Sequence, residues 1–405
     1  MLTDSKSHIH LLYAARCLRG IGDGFAVVIL PAYLSAIGLT PVEIGFVATA
    51  SLLGTALLTL FVGLIAPRHD LRNLLIFGAG LMAATGVAFP SSEHLALIAT
   101  VAFVGTINPS TGDIGVLVPL EHASLARGVA DEARTRTFAR YSFIGALSMA
   151  AGALAAGLSD FLMATGFGQL AAFRLMFYLY ALLGVISAVL YARLPQSRAD
   201  PSLPAVPLGP SRHVVYKLAA LFSLDAFAGG FTVQSLLALW LFEKFALSVS
   251  AASAFFFWAG VLSAFSYPVA ARIASRIGLI NTMVFTHIPS SICLILAAFS
   301  PGLTITLSLL LVRSALSQMD VPTRTSYVMA VVTPPQRPTA ASVTAVPRSL
   351  ASSVSPIFAG VLLTFPFSGL PLVLCGGLKI AYDLALLFSF RHVRPPEEKI
   401  GTSRI

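Results

Sequence analysis

The sequence predicts an all-α polytopic membrane protein of twelve transmembrane helices, arranged as two six-helix bundles. Of its 405 residues, 57% are hydrophobic and 11% are charged, whereas soluble domains carry about 25% charged residues. Apolar runs long enough to cross a bilayer recur about twelve times along the chain. A proline-rich stretch separates the first six runs from the last six.

Each predicted span is an apolar run close to the length of roughly 20 residues that crosses the hydrocarbon core. We place the first six spans at 9–36, 42–66, 73–90, 95–121, 138–163 and 170–193. We place the other six at 214–242, 249–272, 279–299, 303–330, 340–364 and 369–390. Residues 195–213 predict a solvated linker between an N-terminal bundle at 1–194 and a C-terminal bundle at 214–405.

The second span begins with a capping signal. Thr40 can be the N-cap, Pro41 takes the first helical position, and Glu43 at the third position completes a capping box. The matching gap of the second half offers Ser248 or Ser250 as a cap.

Basic residues in the gaps between spans predict the orientation. The gaps on one side carry many arginines, among them Arg68, Arg127 and Arg272, whereas the other side carries Arg174 and Lys244. By the positive-inside rule, both termini and the linker are cytoplasmic. The N-terminus lacks the pattern of a signal peptide. We therefore predict an integral protein of the bacterial inner membrane, a monomer surrounded by lipid, and the net charge of +9 indicates no nucleic-acid partner.

The first span carries charges in its apolar run. These charges are Arg16, Arg19 and Asp23. A charge near the bilayer centre costs about 3 kcal/mol on insertion scales and tends to face a protein interior or an aqueous cavity. Arg19 and Asp23 are four residues apart on one helical face, so they can form an ion pair. Such a pair could serve packing alone or could serve function.

The second half of the chain repeats acidic positions of the first half. Asp23 matches Asp225, and Asp113 matches Asp320, at an offset of about 202 to 208 residues. The turn that contains Arg68 matches the turn that contains Arg276, and the small residues from Gly152 to Gly157 match 355–360. Several matches in order at a nearly constant offset predict a parallel repeat of six plus six helices.

Three degenerate motifs make the chain resemble the major facilitator superfamily across nearly its whole length. The loop signature of that family appears after the second span as GLIAPRHDLR, residues 63–72. The signature of the fourth helix reads NPSTG at 108–112, with Asn108 in place of an arginine, and an arginine occurs instead in the tenth span as Arg313. The antiporter signature of the fifth helix survives as Gly152 and Gly157 without its proline.

The resemblance implies that helices 1, 4, 7 and 10 line a central cavity. The four paired acids lie on those helices and would take up and release protons there: they are Asp23, Asp113, Asp225 and Asp320. Alternatively, Asp320 pairs with Arg324, and Asp113 caps a loosened backbone. The arginines Arg19 and Arg313 would contact a substrate or neutralise a neighbouring aspartate. In the peripheral helix 12, Lys379 and Asp383 are predicted to form a structural pair.

The resemblance also implies a cytoplasmic gate. The charges that would hold it closed are Arg68, Arg72, Glu121 and Arg276, and Glu121 would pair with Arg68 or Arg72 only when the inner side is closed. Positive-inside topology alone is the alternative for the arginines.

Motif absences narrow the class of function. The sequence contains no Gly-x-x-x-x-Gly-Lys-Ser/Thr loop and no His-Glu-x-x-His or Gly-x-Ser-x-Gly motif, so we predict neither an ATP-driven pump nor an enzyme, and no metal or other cofactor. The prediction is a secondary transporter of a small organic solute, working by alternating access and coupled to protons. Gly152 and Gly157 favour efflux by antiport, and uptake of a metabolite or organic anion by symport is the alternative.

Overall fold

The computed structural model describes residues 2–110, 115–127, 131–196 and 208–390. The described chain is all-α. Its helices are α1 (Leu2–Ala36), α2 (Pro41–Ile65), α3 (Leu71–Ala88), α4 (Leu95–Val104), α5 (Leu117–Arg127), α6 (Asp131–Ala155), α7 (Leu158–Ala164), α8 (Gln169–Ala192), α9 (Arg212–Gly230), α10 (Gln234–Phe245), α11 (Val249–Ile277), α12 (Leu279–Phe299), α13 (Leu303–Ser317), α14 (Asp320–Ala330), α15 (Arg337–Leu363) and α16 (Leu370–Phe390).

These helices form the twelve predicted spans. Among the described residues, ten helical stretches are long and apolar enough to cross a membrane. The fourth, fifth, seventh and tenth spans each consist of two consecutive helices, namely α4 with α5, α6 with α7, α9 with α10, and α13 with α14. The fourth is interrupted in a stretch rich in glycine and proline, where α4 ends at Val104 and α5 begins at Leu117. The predicted linker lies largely at 197–207, outside the described residues.

The caps of two helices follow the sequence signals. The Thr40 hydroxyl accepts the N–H of Glu43, and the Glu43 carboxylate accepts the N–H of Thr40 at 2.8 Å, so the capping box is confirmed. Ser248 caps α11 by accepting the N–H of Ala251. Asp70 accepts the N–H of Arg72 and caps α3. The aspartate that replaces glycine in the loop motif therefore has a structural role.

Packing divides the chain into two units. The first comprises residues 1–202, 233–261 and 356–364. Within it, α1 packs against α6 and α8, and α3 packs against α8. The helices α1 and α6 approach closely because a side chain at Gly24 would collide with the Met149 carbonyl, and one at Gly152 with the Ile21 carbonyl. The polar residues of α1 are thereby held against neighbouring helices.

The second unit comprises residues 203–232, 262–355 and 365–405. Within it, α12 packs against α13, α14 and α16, and α9 packs against α16. Apolar side chains such as Phe222, Met283, Tyr382 and Leu386 form its core. The helices α9, α12, α14 and α16 also bury ionisable side chains, which are Asp225, His287, Asp320, Arg324 and Asp383.

Candidate functional site

The first unit contains a small cavity beside the charged face of α1. Arg16, Arg19 and Asp23 line it from α1, which carries them at spacings of three and four residues, and Tyr180 closes it from α8. Its volume is about 30 Å³, enough for a water molecule or two. The other lining residues are Thr55, Leu58, Met82, Gly105, Thr106, Asn108, Gly115, Val116, Leu117 and Val118.

Asp23 is held in this cavity by a hydroxyl group. The Tyr180 hydroxyl donates to Asp23 Oδ1 at 3.3 Å and lies 3.1 Å from the Thr106 hydroxyl. No carboxylate other than Asp23 is among the described residues that line the cavity. Within the described chain, Asp23 forms no ion pair, so its predicted pair with Arg19 is wrong. Asp113, the predicted acid of the fourth span, lies outside the described residues.

Arg19 pairs instead with Glu121 of α5. The guanidinium contacts one Glu121 oxygen, which also accepts the Tyr141 hydroxyl, and the Tyr191 hydroxyl donates to the other oxygen at 2.6 Å. Glu121 is 0% exposed. Within the described chain, Arg19 and two tyrosines contact its carboxylate, and no ion pair of Glu121 with Arg68 or Arg72 is found; that pairing in a closed inner gate stays a prediction.

The remaining predicted latch arginines differ in their exposure. Arg68 and Arg276 are exposed, and Arg72 is half-buried near the start of α3. No ion pair of these three side chains is found in the part of the chain that the structure describes. Their role as a latch stays a prediction.

The second unit contains a buried charge network centred on Asp225. Lys379 of α16 lies 2.6 Å from Asp225 Oδ1, and Arg324 of α14 lies 3.0 Å from Asp225 Oδ2. Arg324 also lies 2.9 Å from Asp320, one turn earlier, which confirms the predicted pair of these two residues. The sequence places no cation within one turn of Asp225. The structure supplies both cations from other helices.

Lys379 and Asp383 do not form the predicted structural pair. Both lie on the inward face of α16, but each contacts a different neighbour. Asp383 accepts from Nδ1 of His287 at 3.1 Å to each oxygen, while the Lys379 ammonium lies 3.3 Å from Nε2 of the same ring. His287 thus joins the two residues.

Sequence reasoning missed His287. The signal was present, because an ionisable side chain inside an apolar span is a candidate for function. His287 lies at the ninth position of α12.

Arg313 lies in α13 without a carboxylate partner among the described residues, so the prediction that it neutralises an aspartate is wrong. Its charge interacts with the thiols of Cys293 and Cys375. The Cys375 thiol lies 3.2 Å from the Thr232 hydroxyl, beside the break between α9 and α10.

Within the first unit, segments from the second half of the chain contact α2 and α7. A Cβ atom on Gly45 of α2 would lie 3.1 Å from the Gly360 Cα atom of α15, and the Thr49 hydroxyl accepts the N–H of Ile357 at 3.0 Å. The Asp160 carboxylate of α7 accepts the N–H of Ser250, in the first turn of α11, at 2.7 Å. Close packing and short hydrogen bonds therefore hold these elements together.

Gly152 and Gly157 of the predicted antiporter motif take part in this packing. Gly152 allows α6 to meet the Ile21 backbone, and a Cβ atom on Gly157 would lie 3.4 Å from the Ser250 hydroxyl. Both glycines therefore have a packing role in the first unit.

Comparisons with known proteins agree with this architecture. A family model described as Major Facilitator Superfamily matches residues 12–312. The uncharacterized membrane protein YJR124C of Saccharomyces cerevisiae is 25% identical over 419 residues, covering 94% of each chain. This yeast relative gives no support to a bacterial membrane in particular, which stays a prediction.

Solved transporter structures show the same fold. A point mutant of the nucleoside transporter NupG superposes with a TM-score of 0.77 at 15% identity, over 95% of this chain and 100% of that one. The inward-open xylose transporter XylE from E. coli superposes with a TM-score of 0.74 at 14% identity, over 96% and 97%. The structure of a D-xylose–proton symporter gives a TM-score of 0.73 at 15% identity, over 97% and 99%.

Proposed function

The chain belongs to the Major Facilitator Superfamily, and from this premise we propose that it is a proton-coupled secondary transporter that exports a small organic solute. The observation that carries the proposal is the state of Asp23. It lies at a small cavity lined by polar and apolar side chains, and its neighbour Arg19 is already paired with Glu121.

Asp23 is suited to exchange a proton because no ion pair within the described chain fixes its charge. Protonation removes a buried negative charge near two arginines and leaves the Arg19–Glu121 pair in place. The cavity has room for the water that would deliver the proton. A change of charge at one site can alter the relative stability of two conformations of a transporter.

Alternating access requires contacts that can close and open. The backbone contact at Gly45 and Gly360 and the hydrogen bond from Ser250 to Asp160 are contacts of this kind. Each joins elements that belong to different halves of the chain. We propose that they close the outer end of the transport path and separate when that end opens.

Export is the direction that Gly152 and Gly157 favour, although both glycines also serve packing. Uptake by symport is the second candidate, and the shared fold of a D-xylose–proton symporter is compatible with it. The direction of proton movement relative to solute movement distinguishes the two.

The test uses proteoliposomes that contain the full chain and a pH-sensitive dye, screened with a panel of labelled metabolites and organic ions. We expect a solute from the panel to move against an imposed pH gradient, with protons moving in the opposite direction. Asp23→Asn should abolish this accumulation and retain solute exchange at equal pH, because exchange needs no net proton movement. Glu93→Gln is the matched control, since Glu93 is an exposed carboxylate. A normal gradient response in Asp23→Asn would contradict the role of Asp23.

A further inference from the structure

His287 occupies an unusual place for a titratable ring. It is 3% exposed, in α12, and its two ring nitrogens face opposite charges. Nδ1 lies 3.1 Å from both oxygens of Asp383, while Nε2 lies 3.3 Å from the Lys379 ammonium. Asp225 Oδ1 is 3.9 Å from Nε2.

With Asp383 ionised, these contacts fit one assignment of the ring hydrogens. An ionised Asp383 carboxylate can accept hydrogen bonds but cannot donate them, so Nδ1 of His287 carries a hydrogen and donates it to Asp383. An ammonium has three donors and no acceptor, so Nε2 must be the acceptor for Lys379. The arrangement is therefore that of a neutral imidazole between a carboxylate and an ammonium.

Charged and titratable groups surround the ring from every helix packed on α12 and from the helices behind them. They are Lys379, Tyr382 and Asp383 of α16, Asp320 and Arg324 of α14, Arg313 of α13, Asp225 of α9 and Arg348 of α15. Asp225, Asp320 and Asp383 can carry three negative charges, and Arg324, Arg348 and Lys379 near them can carry three positive charges. One more proton therefore changes the net charge of a closely balanced cluster.

We propose that His287 is a second proton-binding site of this protein, in which proton uptake at Nε2 displaces Lys379. A protonated Nε2 is a donor, and it would face another donor, the ammonium, 3.3 Å away. The acceptor within reach of the new N–H is Asp225 Oδ1, which Lys379 now occupies at 2.6 Å. A protonated ring would therefore place a second positive charge 3.3 Å from the ammonium, beside the carboxylate oxygen that both would bind, and the repulsion between the two cations favours displacement of Lys379.

A destination for the displaced ammonium lies beside it. Lys379 Nζ is 3.8 Å from the position that a Cβ atom on Gly229 would take, and α9 ends at Gly230. The last carbonyl groups of a helix lack intrahelical partners and favour a cation. The space beside Gly229 could therefore receive the displaced ammonium at the carbonyl end of α9.

The experiment is pH-difference infrared spectroscopy of the full chain in lipid vesicles, with isotope-labelled histidine. It needs no substrate, so its result is separate from the test of Asp23. Between about pH 5 and 8, where histidines ordinarily titrate, His287→Gln should remove one histidine signal. His94→Gln is the matched control. Because His94 is exposed, this variant should lose the signal of a solvent-exposed histidine and keep the signal of His287.

Two further variants keep His287 and change its neighbours in opposite ways. Asp383→Asn removes the negative charge that favours the imidazolium, so the midpoint of the His287 signal should fall by about one pH unit or more. Lys379→Met removes the competing positive charge, so the midpoint should rise. Shifts of the same sign, unmoved midpoints, or an unchanged number of titrating signals in His287→Gln would overturn the proposal. If His287→Gln fails to fold, these two variants decide the question.

Discussion

The Lys379 ammonium lies 2.6 Å from Asp225 Oδ1, although the two residues are 154 positions apart in the chain. Asp225 also forms an ion pair with Arg324, and Arg324 in turn forms one with Asp320. The residues therefore form a chain of alternating charge through the interior of the second unit. Removing one member deprives its neighbours of a counter-charge in the buried interior.

The first prediction concerns this pair. Asp225→Asn should destabilise the protein by about 3–5 kcal/mol, because it leaves the buried Lys379 ammonium without its carboxylate partner. Lys379→Met should cost less, because Asp225 keeps Arg324 as a partner. The double variant should recover much of the loss, since Arg324 keeps Asp320 as its partner. The measurement is denaturant unfolding of the purified chain in detergent.

The control for this prediction is an exposed pair of the first unit. Arg174 and Glu93 lie 2.8 Å apart with side chains 38% and 57% exposed. Arg174→Gln should change stability by about 1 kcal/mol or less. A double Asp225→Asn, Lys379→Met variant that loses the sum of the single losses would show that the pair carries no mutual stabilisation.

The second prediction concerns the contact between α2 and α15. Gly45→Leu should prevent this contact, because even a Cβ atom at this position lies 3.1 Å from the Gly360 Cα atom and meets the Pro356 carbonyl. A cysteine at position 49, next to the contact, should then react faster with an impermeant maleimide. The comparison variant is Gly63→Leu on the same helix, where a Cβ atom meets nothing within 4 Å. Equal labelling rates in the two variants would contradict a gate at this position.

Much of the fold follows from hydropathy. A span predicted at 279–299 corresponds to α12, Leu279–Phe299, and the Thr40–Glu43 signal gives the start of α2. These features are local, because span length and caps depend on residues close together in the chain.

The charge partners could not be predicted in the same way. Spacing of four residues suggested Arg19 with Asp23 and Lys379 with Asp383, but Arg19 binds Glu121, 102 positions away. Spacing shows only which residues share a helical face. Packing of the whole bundle decides which helix lies opposite that face. For Arg19, the fully buried Glu121 carboxylate with its two tyrosine donors is a stronger partner than the Asp23 carboxylate in the cavity.

The third prediction is topological. Reporter fusions after Gln196 and after Arg394 should both report the cytoplasm, because the basic residues of the sequence cluster on that side. A fusion after Gly38, in the turn between α1 and α2, should report the opposite side. An external signal from Gln196 would require an odd number of spans before the linker.

The last prediction concerns which of two carboxylates, Glu121 or Asp23, forms an ion pair with Arg19. Glu121→Gln removes its counter-ion and leaves Asp23, one helical turn away, as the nearby carboxylate. Arg19 should then pair with Asp23, so that part of the lost stability is recovered. The same pairing would hold Asp23 ionised, and gradient-driven transport should fall while exchange at equal pH continues.

A double-mutant cycle tests whether Asp23 replaces Glu121 as the ion-pair partner of Arg19. Asp23→Asn alone should cost little stability, because Arg19 keeps Glu121. The double variant Asp23→Asn, Glu121→Gln leaves Arg19 with neither acid, so its loss should exceed the sum of the single losses by about 0.5–3 kcal/mol, as is typical for coupled neighbours. Tyr141→Phe serves as the control, because it removes one hydrogen bond to Glu121 and keeps the carboxylate. It should therefore show no such coupling to Asp23→Asn. If the stability losses in the Glu121 cycle were additive, Arg19 would not pair with Asp23 when Glu121 is removed. Glu121 would then have no influence on the proposed proton site at Asp23.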